Sequence, residues 1–482
     1  MSILSSKQAE HATSAPNQAT PATHTTGRLG TTDTTKHHKV KALSPALFRA
    51  KLWDLQRTMW KVTEDKTLAG CGRWVAGGSA VASLVWQAQG RARWGGLQNS
   101  HSVWGSPVAS SVICSRRANE VDAAIQAWAN GAGLTPAHYR GVSTSPSDRK
   151  QRGVSVNPVV ERGISLMTLT LRHNSKQSLT EVWDAIAGCW QAVTNTAAWR
   201  GGARTAGDKS RYGIAHWYRA IEVTHGKNGW HVHLHVVLFH DRVLSVDERD
   251  SLADRVFDRW AAKAVRLGMR APSRDRGIDV VHVAASSDDA KSIGGYTCKG
   301  MLSGIAAETT TGQVTKEAKG DNRTPFQILG DLGKQYTKRD HALWLEWEKG
   351  SKGRRQTGWS QGTKDVLGIN ELSDDQIDDS LGDNDQSEVV AMVGRGAWGA
   401  IASDTEKRAV ILDAVAATDS AEGARKAARD VLKLFGVAHT VTAIGLAKTD
   451  LDTVLPTHTD VFKRELHEAV WSGRKQTALP VL

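Results

Sequence analysis

Cysteine is scarce in this sequence, and apolar runs are short. The four cysteines, Cys71, Cys114, Cys189 and Cys298, form no C-x-x-C pair, so we predict no disulfide framework and no cysteine-rich zinc site. No stretch approaches the roughly 20 apolar residues of a membrane span. The N-terminus also has no apolar core of a signal peptide. These absences predict a cytoplasmic protein with no membrane partner.

Positive charge, in contrast, is in excess. The chain has 62 Lys and Arg residues against 50 acidic ones, which gives a net charge of +12 and a pI of about 9.5. Eight acidic residues and no Lys or Arg fall within 371–388, so the remainder is more basic still. Such a balance favours a polyanionic partner, nucleic acid first. On charge alone, a soluble basic protein without such a partner is an equal alternative.

Composition divides the 482 residues into five predicted parts. They are a disordered N-terminal arm (1–45), an N-terminal region (46–150), a domain that carries the chemical motifs (151–365), an acidic linker (366–390) and a helical C-terminal region (391–482).

Apolar periodicity predicts the main elements. Strands are predicted at Val81–Trp86, Ile164–Leu171, Ile214–Thr224, Trp230–Phe239 and Ile278–Ala284. Capping boxes at Ser178–Glu181 and Ser245–Glu248 predict helices that extend to about Trp199 and Gly268. Further helices are predicted at 116–130, 288–302, 403–417 and 421–435.

Three histidines alternate along the strand Trp230–Phe239. Because successive side chains of a strand point to opposite faces, His231, His233 and His235 share one face. Three imidazoles in a row suit metal binding. The alternative is an exposed polar strand face.

A carboxylate is expected to face these histidines. Asn228-Gly229 is a strong signal for a two-residue hairpin turn. A turn centred there places Glu222 opposite His235, and a turn one residue earlier places it opposite His233, with Cβ atoms roughly 5 Å apart in both. A carboxylate with two or three imidazoles predicts a divalent-metal site. The carboxylate suits Mg²⁺ or Mn²⁺, and the imidazoles also suit Zn²⁺ or Ni²⁺.

Tyrosine is scarce too, with five in the chain, and one has a suggestive neighbour. Tyr296 lies in Gly-Gly-Tyr-Thr-Cys-Lys-Gly, and Lys299 shares its face if the segment is helical. A lysine beside a phenol favours the phenolate and holds it near phosphate. Taken alone, this pair is better explained by a packed tyrosine and a solvated lysine, so the nucleophile hypothesis depends on the histidine strand.

Together these motifs resemble the HUH superfamily, in particular the actinobacterial-type rolling-circle plasmid replication initiators (Rep). The name denotes histidine-hydrophobic-histidine, here His233-Leu234-His235. The stretches similar to the family, spread over about 70–365, are Thr168–His173, Glu222–His235, Tyr296–Lys299, Arg323–Leu329 and Lys352–Ser360.

The resemblance implies an α+β fold whose palm is an antiparallel β-sheet with helices packed on one side. It makes 151–365 the HUH endonuclease domain, with a smaller N-terminal region and a helical C-terminal extension. Metal ligands would be His233 and His235, with Glu222 third and His231 a neighbour. Tyr296 would nick one strand at a plasmid's double-strand origin, leaving a 5′-phosphotyrosine and a free 3′-hydroxyl. A host helicase and replication proteins would act next.

The predicted DNA contacts lie around this site. The resemblance places Arg172 and His173 near the DNA or the site. Arg354 and Arg355, in the basic stretch 352–355, are candidates for phosphate contacts, as are 149–152 and the C-terminal helices. For each basic stretch, a solvated charged face is the alternative.

Two departures from the family pattern matter. Relatives carry a cysteine cluster where this chain has Ser100, Ser106 and Ala109, which are poor zinc ligands or none, so no structural zinc is expected. Some relatives place a glutamate four residues before the tyrosine to end the reaction by hydrolysis. That position is Ser292 here, and Asp288 or Asp289 are the alternatives that the sequence leaves open.

Three other functions fit part of the pattern. A transposase of the same superfamily shares the chemistry. A non-catalytic origin-binding or repressor protein would share the DNA partner. The run His231–His235 also satisfies the histidine-triad pattern of nucleotide hydrolases, which need no metal. That pattern leaves Glu222 and Tyr296 unexplained.

Overall fold

The computed structural model describes residues 45–88, 91–133, 161–291, 293, 322–370, 373 and 387–441. Within these ranges nine strands form: β1 (Val81–Gln87), β2 (Arg91–Gly95), β3 (Gly163–Thr170), β4 (Ile214–Gly226), β5 (Gly229–His240), β6 (Ile278–Ala284), β7 (Thr357–Trp359), β8 (Ser387–Gly394) and β9 (Thr440–Val441).

Fifteen helices form in the same ranges: α1 (Pro45–Val62), α2 (Lys66–Gly70), α3 (Pro107–Ala129), α4 (Leu179–Thr194), α5 (Ala197–Arg200), α6 (Asp208–Arg211), α7 (Val246–Arg266), α8 (Arg274–Gly277), α9 (Asp288–Lys291), α10 (Pro325–Lys334), α11 (Lys338–Ser351), α12 (Thr363–Leu367), α13 (Arg395–Trp398), α14 (Thr405–Ala416) and α15 (Ala421–Leu434). No helix of this described part is long and apolar enough to cross a membrane.

The larger sheet has five antiparallel strands in the order β6-β3-β5-β4-β7. The α+β class with an antiparallel sheet is therefore confirmed. One face of β5, which carries Val232, Leu234 and Val236, packs into the main hydrophobic core. The core residues contributed by α4 and α7 include Val182, Ile186, Trp190, Leu252, Val256 and Trp260. The opposite face is left for the histidines.

Two predicted capping boxes form as expected. The Ser178 and Ser245 hydroxyls accept from the backbone N–H three residues on, and the glutamates there accept from the cap N–H groups. Other helix limits differ from prediction. Helix α3 begins nine residues earlier than expected, because Ser106 caps it and Pro107 occupies its first position. Helix α14, predicted over 403–417, is capped by Asp404 and spans Thr405–Ala416.

A second sheet joins residues that are far apart in the chain. Its antiparallel order is β2-β1-β8-β9, and Val81 pairs with Gly394. The C-terminal region, predicted to be helical, therefore also supplies two strands, and β8 begins at Ser387 inside the predicted acidic linker. Helices α14 and α15 pack on this sheet through Ile411, Leu412, Val415, Ala424, Ala428 and Leu432. The predicted domain boundaries themselves stay predictions.

Helix α1 ties the second sheet's helices to the main core. Trp53 and Trp60 of α1 belong to that core, and the fully buried guanidinium of Arg408 in α14 lies 3.8 Å from the Trp53 ring centroid. Arg49 of α1 also forms an ion pair with Asp413 of α14. A cation over an aromatic ring is attractive, more so when both are out of water.

Candidate metal centre

The hairpin β4–β5 sets the position of the candidate ligands. Gly226 pairs with Gly229, so the turn residues are Lys227 and Asn228, and Glu222 lies opposite His233. Of the two expected registers, the one with the earlier turn forms. Gly229 adopts φ +85°, a left-handed conformation that glycine takes at little cost.

Glu222, His233 and His235 come together on the face of the sheet away from α4 and α7. One ligand atom from each can be chosen so that all three lie within 4.8 Å of one another. His235 Nε2 lies 3.0 Å from Glu222 Oε2, which accepts its hydrogen bond. His235 is 3% exposed and the Glu222 side chain 27% exposed. The histidine face is therefore not a fully exposed polar surface, and the carboxylate still reaches solvent.

Thr168 orients His235 from the neighbouring strand β3. The two residues are direct partners in the sheet, and Thr168 Oγ1 lies 3.1 Å from His235 Nδ1. While Nε2 donates to the carboxylate, the hydroxyl donates to Nδ1; with a metal on Nε2, Nδ1 would carry the proton and donate to Thr168 Oγ1. A hydrogen bond to the far nitrogen commonly fixes the ring of a metal-binding histidine. Sequence reasoning missed this role, although Thr168 lies in a stretch it had singled out.

His233 provides a test of whether the residues fit a metal. Its Nε2 is buried and has no hydrogen-bond partner among the described residues. Burial lowers the pKa of His233 to about 4, so the imidazole is neutral at physiological pH and keeps a lone pair. Leaving a buried polar atom unpaired is costly. A divalent cation beside Glu222 and His235 would use that lone pair, so these residues fit the group.

The charge of Glu222 completes this donor set. Burial acts to raise its pKa, but the hydrogen bond from His235 and the interactions with the neighbouring histidines lower it by more, so the net pKa lies below the ordinary value. The group is thus an anion at neutral pH. One carboxylate and two imidazoles are compatible with several divalent metals.

His231, the remaining predicted ligand, contacts His173. The His231 Nδ1 and His173 Nε2 atoms are 2.6 Å apart, and His173 Nδ1 donates to the Asn228 carbonyl at 2.9 Å. Burial, followed by repulsion from His233 and His173, lowers the pKa of His231 to about 3. His231 is not in the three-residue cluster, and His173 lies next to the histidine row rather than apart from it.

The remaining predicted site residues differ in whether the structure describes them and in what they contact. Tyr296 and Lys299 lie outside the described residues. Arg172 is exposed. Arg354 donates to Asp184 and to the Gly350 carbonyl, and its guanidinium lies 5.2 Å from the Trp183 ring centroid. Arg355 is exposed.

Asp288 and Asp289 are both exposed on the short helix α9. An ion pair with Lys291 lowers the pKa of Asp288.

The site of the missing cysteine cluster has a different organisation. Ser106 is fully buried, caps α3, and donates to Gln56 Oε1 at 3.1 Å. Gln56 in turn donates to the Cys71 carbonyl at 3.0 Å. This network links α1 and α3 to the backbone of Cys71, at the end of α2.

Comparison with known proteins gives one relative whose name indicates plasmid replication. The chain is 26% identical over 413 residues to "Protein rep" of Streptomyces lividans, an alignment that covers 72% of this chain and 82% of that protein. No protein-family model matches the chain. No solved structure matches it significantly.

Proposed function

We propose that this chain is a plasmid replication initiator of the rolling-circle type, which nicks one strand of its origin DNA through Tyr296 with the help of a divalent metal. The observation that carries the proposal is the cluster of Glu222, His233 and His235 on an antiparallel sheet. Similarity to a protein named rep over most of both chains supports the biological role. The net charge of +12 suits a DNA partner.

Glu222, His233 and His235 would hold the metal, with His231 beside them. A bound Mg²⁺ or Mn²⁺ would polarise the scissile phosphate and offset charge that develops on its oxygens. The protein's own contribution is to fix the ligands: Thr168 orients His235, and His173 holds His231. Because the Glu222 carboxylate is part-exposed, a phosphate of a bound strand has access to the site.

Tyr296 is the proposed nucleophile. Its phenolate oxygen attacks the phosphorus, an O–P bond forms, and the bond from phosphorus to the 3′ oxygen of the preceding nucleotide breaks. The phenol gives up its proton and the departing 3′ oxygen gains one, so the protons balance. Lys299 would favour the phenolate through its positive charge. The products are a 5′-phosphotyrosine and a 3′-hydroxyl, which a polymerase extends after a host helicase has unwound the strand.

The test is a cleavage assay on labelled single-stranded origin DNA from the protein's own replicon, with Mn²⁺ or with EDTA. Wild type should give a nick and a protein–DNA adduct that survives denaturation, and only with metal. Both Tyr296→Phe and His233→Ala should abolish the adduct. Tyr336→Phe is the matched control, because this exposed tyrosine bonds to His341, which is not part of the metal cluster.

Other outcomes would separate the alternatives. Cleavage that persists in Tyr296→Phe would move the nucleophile elsewhere. Cleavage that is unaffected by EDTA would refute the requirement for a divalent metal and favour histidine-triad chemistry. Tight origin binding without any cleavage by wild type would indicate a non-catalytic origin-binding protein.

A further inference from the structure

A positively charged pocket lies at the turn end of the β4–β5 hairpin. It is a cavity of about 300 Å³ lined by His225, Gly226, Lys227, Arg323 and Arg339, and we call it the hairpin pocket. Three of its five lining residues are permanent cations. Ligand sites are typically concavities of this size or larger. The composition of the lining indicates an anionic ligand.

Arg323 is fixed in place before any ligand arrives. Its backbone pairs with His225 through two hydrogen bonds of 2.8 Å. Its guanidinium donates to Asp331 at 2.8 Å and to Asp340 at 2.6 Å. A guanidinium held this way keeps its geometry without losing side-chain entropy on binding.

Gly226 permits this close approach of the two segments. A Cβ atom at position 226 would lie 1.8 Å from Asn322 Oδ1, so no other residue fits without a shift. The glycine thus serves the contact between the hairpin and the segment that carries Arg323.

Lys227 and Arg339 supply the charge that remains uncompensated. Both are exposed, and neither forms an ion pair within the described part of the chain. Burial, and then the positive charges of Arg323 and Arg339, lower the pKa of His225 by more than the carboxylates of Glu346 and Asp340 raise it, so its imidazole is a neutral donor or acceptor. The pocket therefore combines one anchored guanidinium with two cations that have no acidic partner.

We propose that the hairpin pocket binds a phosphate group of the DNA strand, at the turn end of the hairpin that carries the metal ligands. His225 follows Glu222 by three residues of strand, about 10 Å, and its side chain lies on the opposite face of β4 from Glu222, against Trp230. A strand that passes the hairpin turn would span that distance with a few nucleotides. The proposal rests on the proposed function, since it takes the ligand of that same site to be DNA. Its role is to hold the strand in register, while the metal cluster and Tyr296 act on another phosphate.

The experiment measures binding rather than cleavage. A labelled single-stranded oligonucleotide is titrated with the full-length protein in EDTA, and fluorescence anisotropy is followed at several salt concentrations. Lys227→Gln and Arg339→Gln should each weaken binding about tenfold. Each should also reduce the slope of log affinity against log salt by about 0.7 to 1. Arg266→Gln removes one exposed charge on α7 as a matched control and should change neither quantity.

A second arm separates a DNA phosphate from free phosphate. Inorganic phosphate is added during thermal unfolding of the same proteins. If phosphate stabilises wild type but neither variant, and DNA affinity is equal in all, the pocket takes free phosphate and the DNA assignment is wrong. If neither variant differs from wild type in either arm, the pocket is not an anion site.

Failure of the proposed function would look different. In that case wild type would form no adduct with origin DNA, while the two variants would still differ from wild type in DNA binding. Conversely, if adducts form normally and both variants bind DNA as tightly as wild type, only the proposal for the hairpin pocket is refuted.

Discussion

Replacing Glu222 by glutamine isolates the contribution of its charge to metal binding. Glutamine keeps the size of the side chain, and its carbonyl oxygen still accepts the hydrogen bond that Glu222 receives from His235 at 3.0 Å. Only the negative charge is lost. That charge is fully present at neutral pH, because the pKa of Glu222 lies below its ordinary value. The variant should therefore fold normally and bind metal poorly.

The size of the expected loss in metal-binding free energy follows from the burial of Glu222. Removing one partner of a buried charge pair costs about 2–5 kcal/mol, and since the Glu222 side chain is 27% exposed we take the lower half of that range. A loss of about 3 kcal/mol corresponds to roughly 100-fold weaker binding. Isothermal titration with Mn²⁺ measures it directly, with Glu406→Gln on α14 as the charge-matched control. Binding by Glu222→Gln within about threefold of wild type, a difference below 1 kcal/mol, would refute the reasoning.

Three further predictions concern single contacts. Thr168→Val removes the hydroxyl at His235 Nδ1 and should weaken Mn²⁺ binding about tenfold with stability little changed; unchanged affinity in the same titration would contradict it. Arg354→Gln should lower the free energy of unfolding in urea by about 1 kcal/mol, because the side chain's contacts are internal, and should leave DNA affinity as it was. Burial lowers the pKa of His240 to about 3 in the folded protein, from 6.5 in the unfolded chain. The contribution of the neutral ring to the free energy of unfolding is therefore complete above pH 6.5 and is lost as the pH falls toward 3. At about pH 5 the loss is about 2 kcal/mol, and His240→Asn should show a correspondingly weaker pH dependence of unfolding; an equal dependence would count against it.

The palm could be predicted because its signals are local. The alternation of polar and apolar side chains along 230–239 predicts which of them share a face. Asn228-Gly229 predicts the hairpin turn. The turn residues alone are compatible with two registers. In the register that forms, Gly229 has φ +85°, and a Cβ atom there would lie 3.0 Å from Ser175 Cα and 3.2 Å from the Asn174 carbonyl oxygen. The carboxylate then reaches His235 diagonally rather than directly.

The rest depended on contacts between distant residues. Pairing of β1 with β8 joins positions about 300 residues apart, and no local pattern in either strand names its partner. The same holds for Thr168 and His235, which meet because β3 lies beside β5, and for His173 and His231. Helix α3 was predicted too short, because the periodic pattern was counted from Arg116 although Ser106-Pro107 already carried a helix-start signal.

The central claim is that Tyr296 becomes covalently attached to DNA in a reaction that needs the metal cluster. The most direct test is to trap the adduct with origin DNA and Mn²⁺, digest both polymers, and locate the modified residue by mass spectrometry. The account predicts a nucleotide linked through its 5′-phosphate to Tyr296, present in wild type and absent in His233→Ala and Glu222→Gln. A nucleotide on any other residue, or an adduct that forms equally well in those two variants, would contradict it.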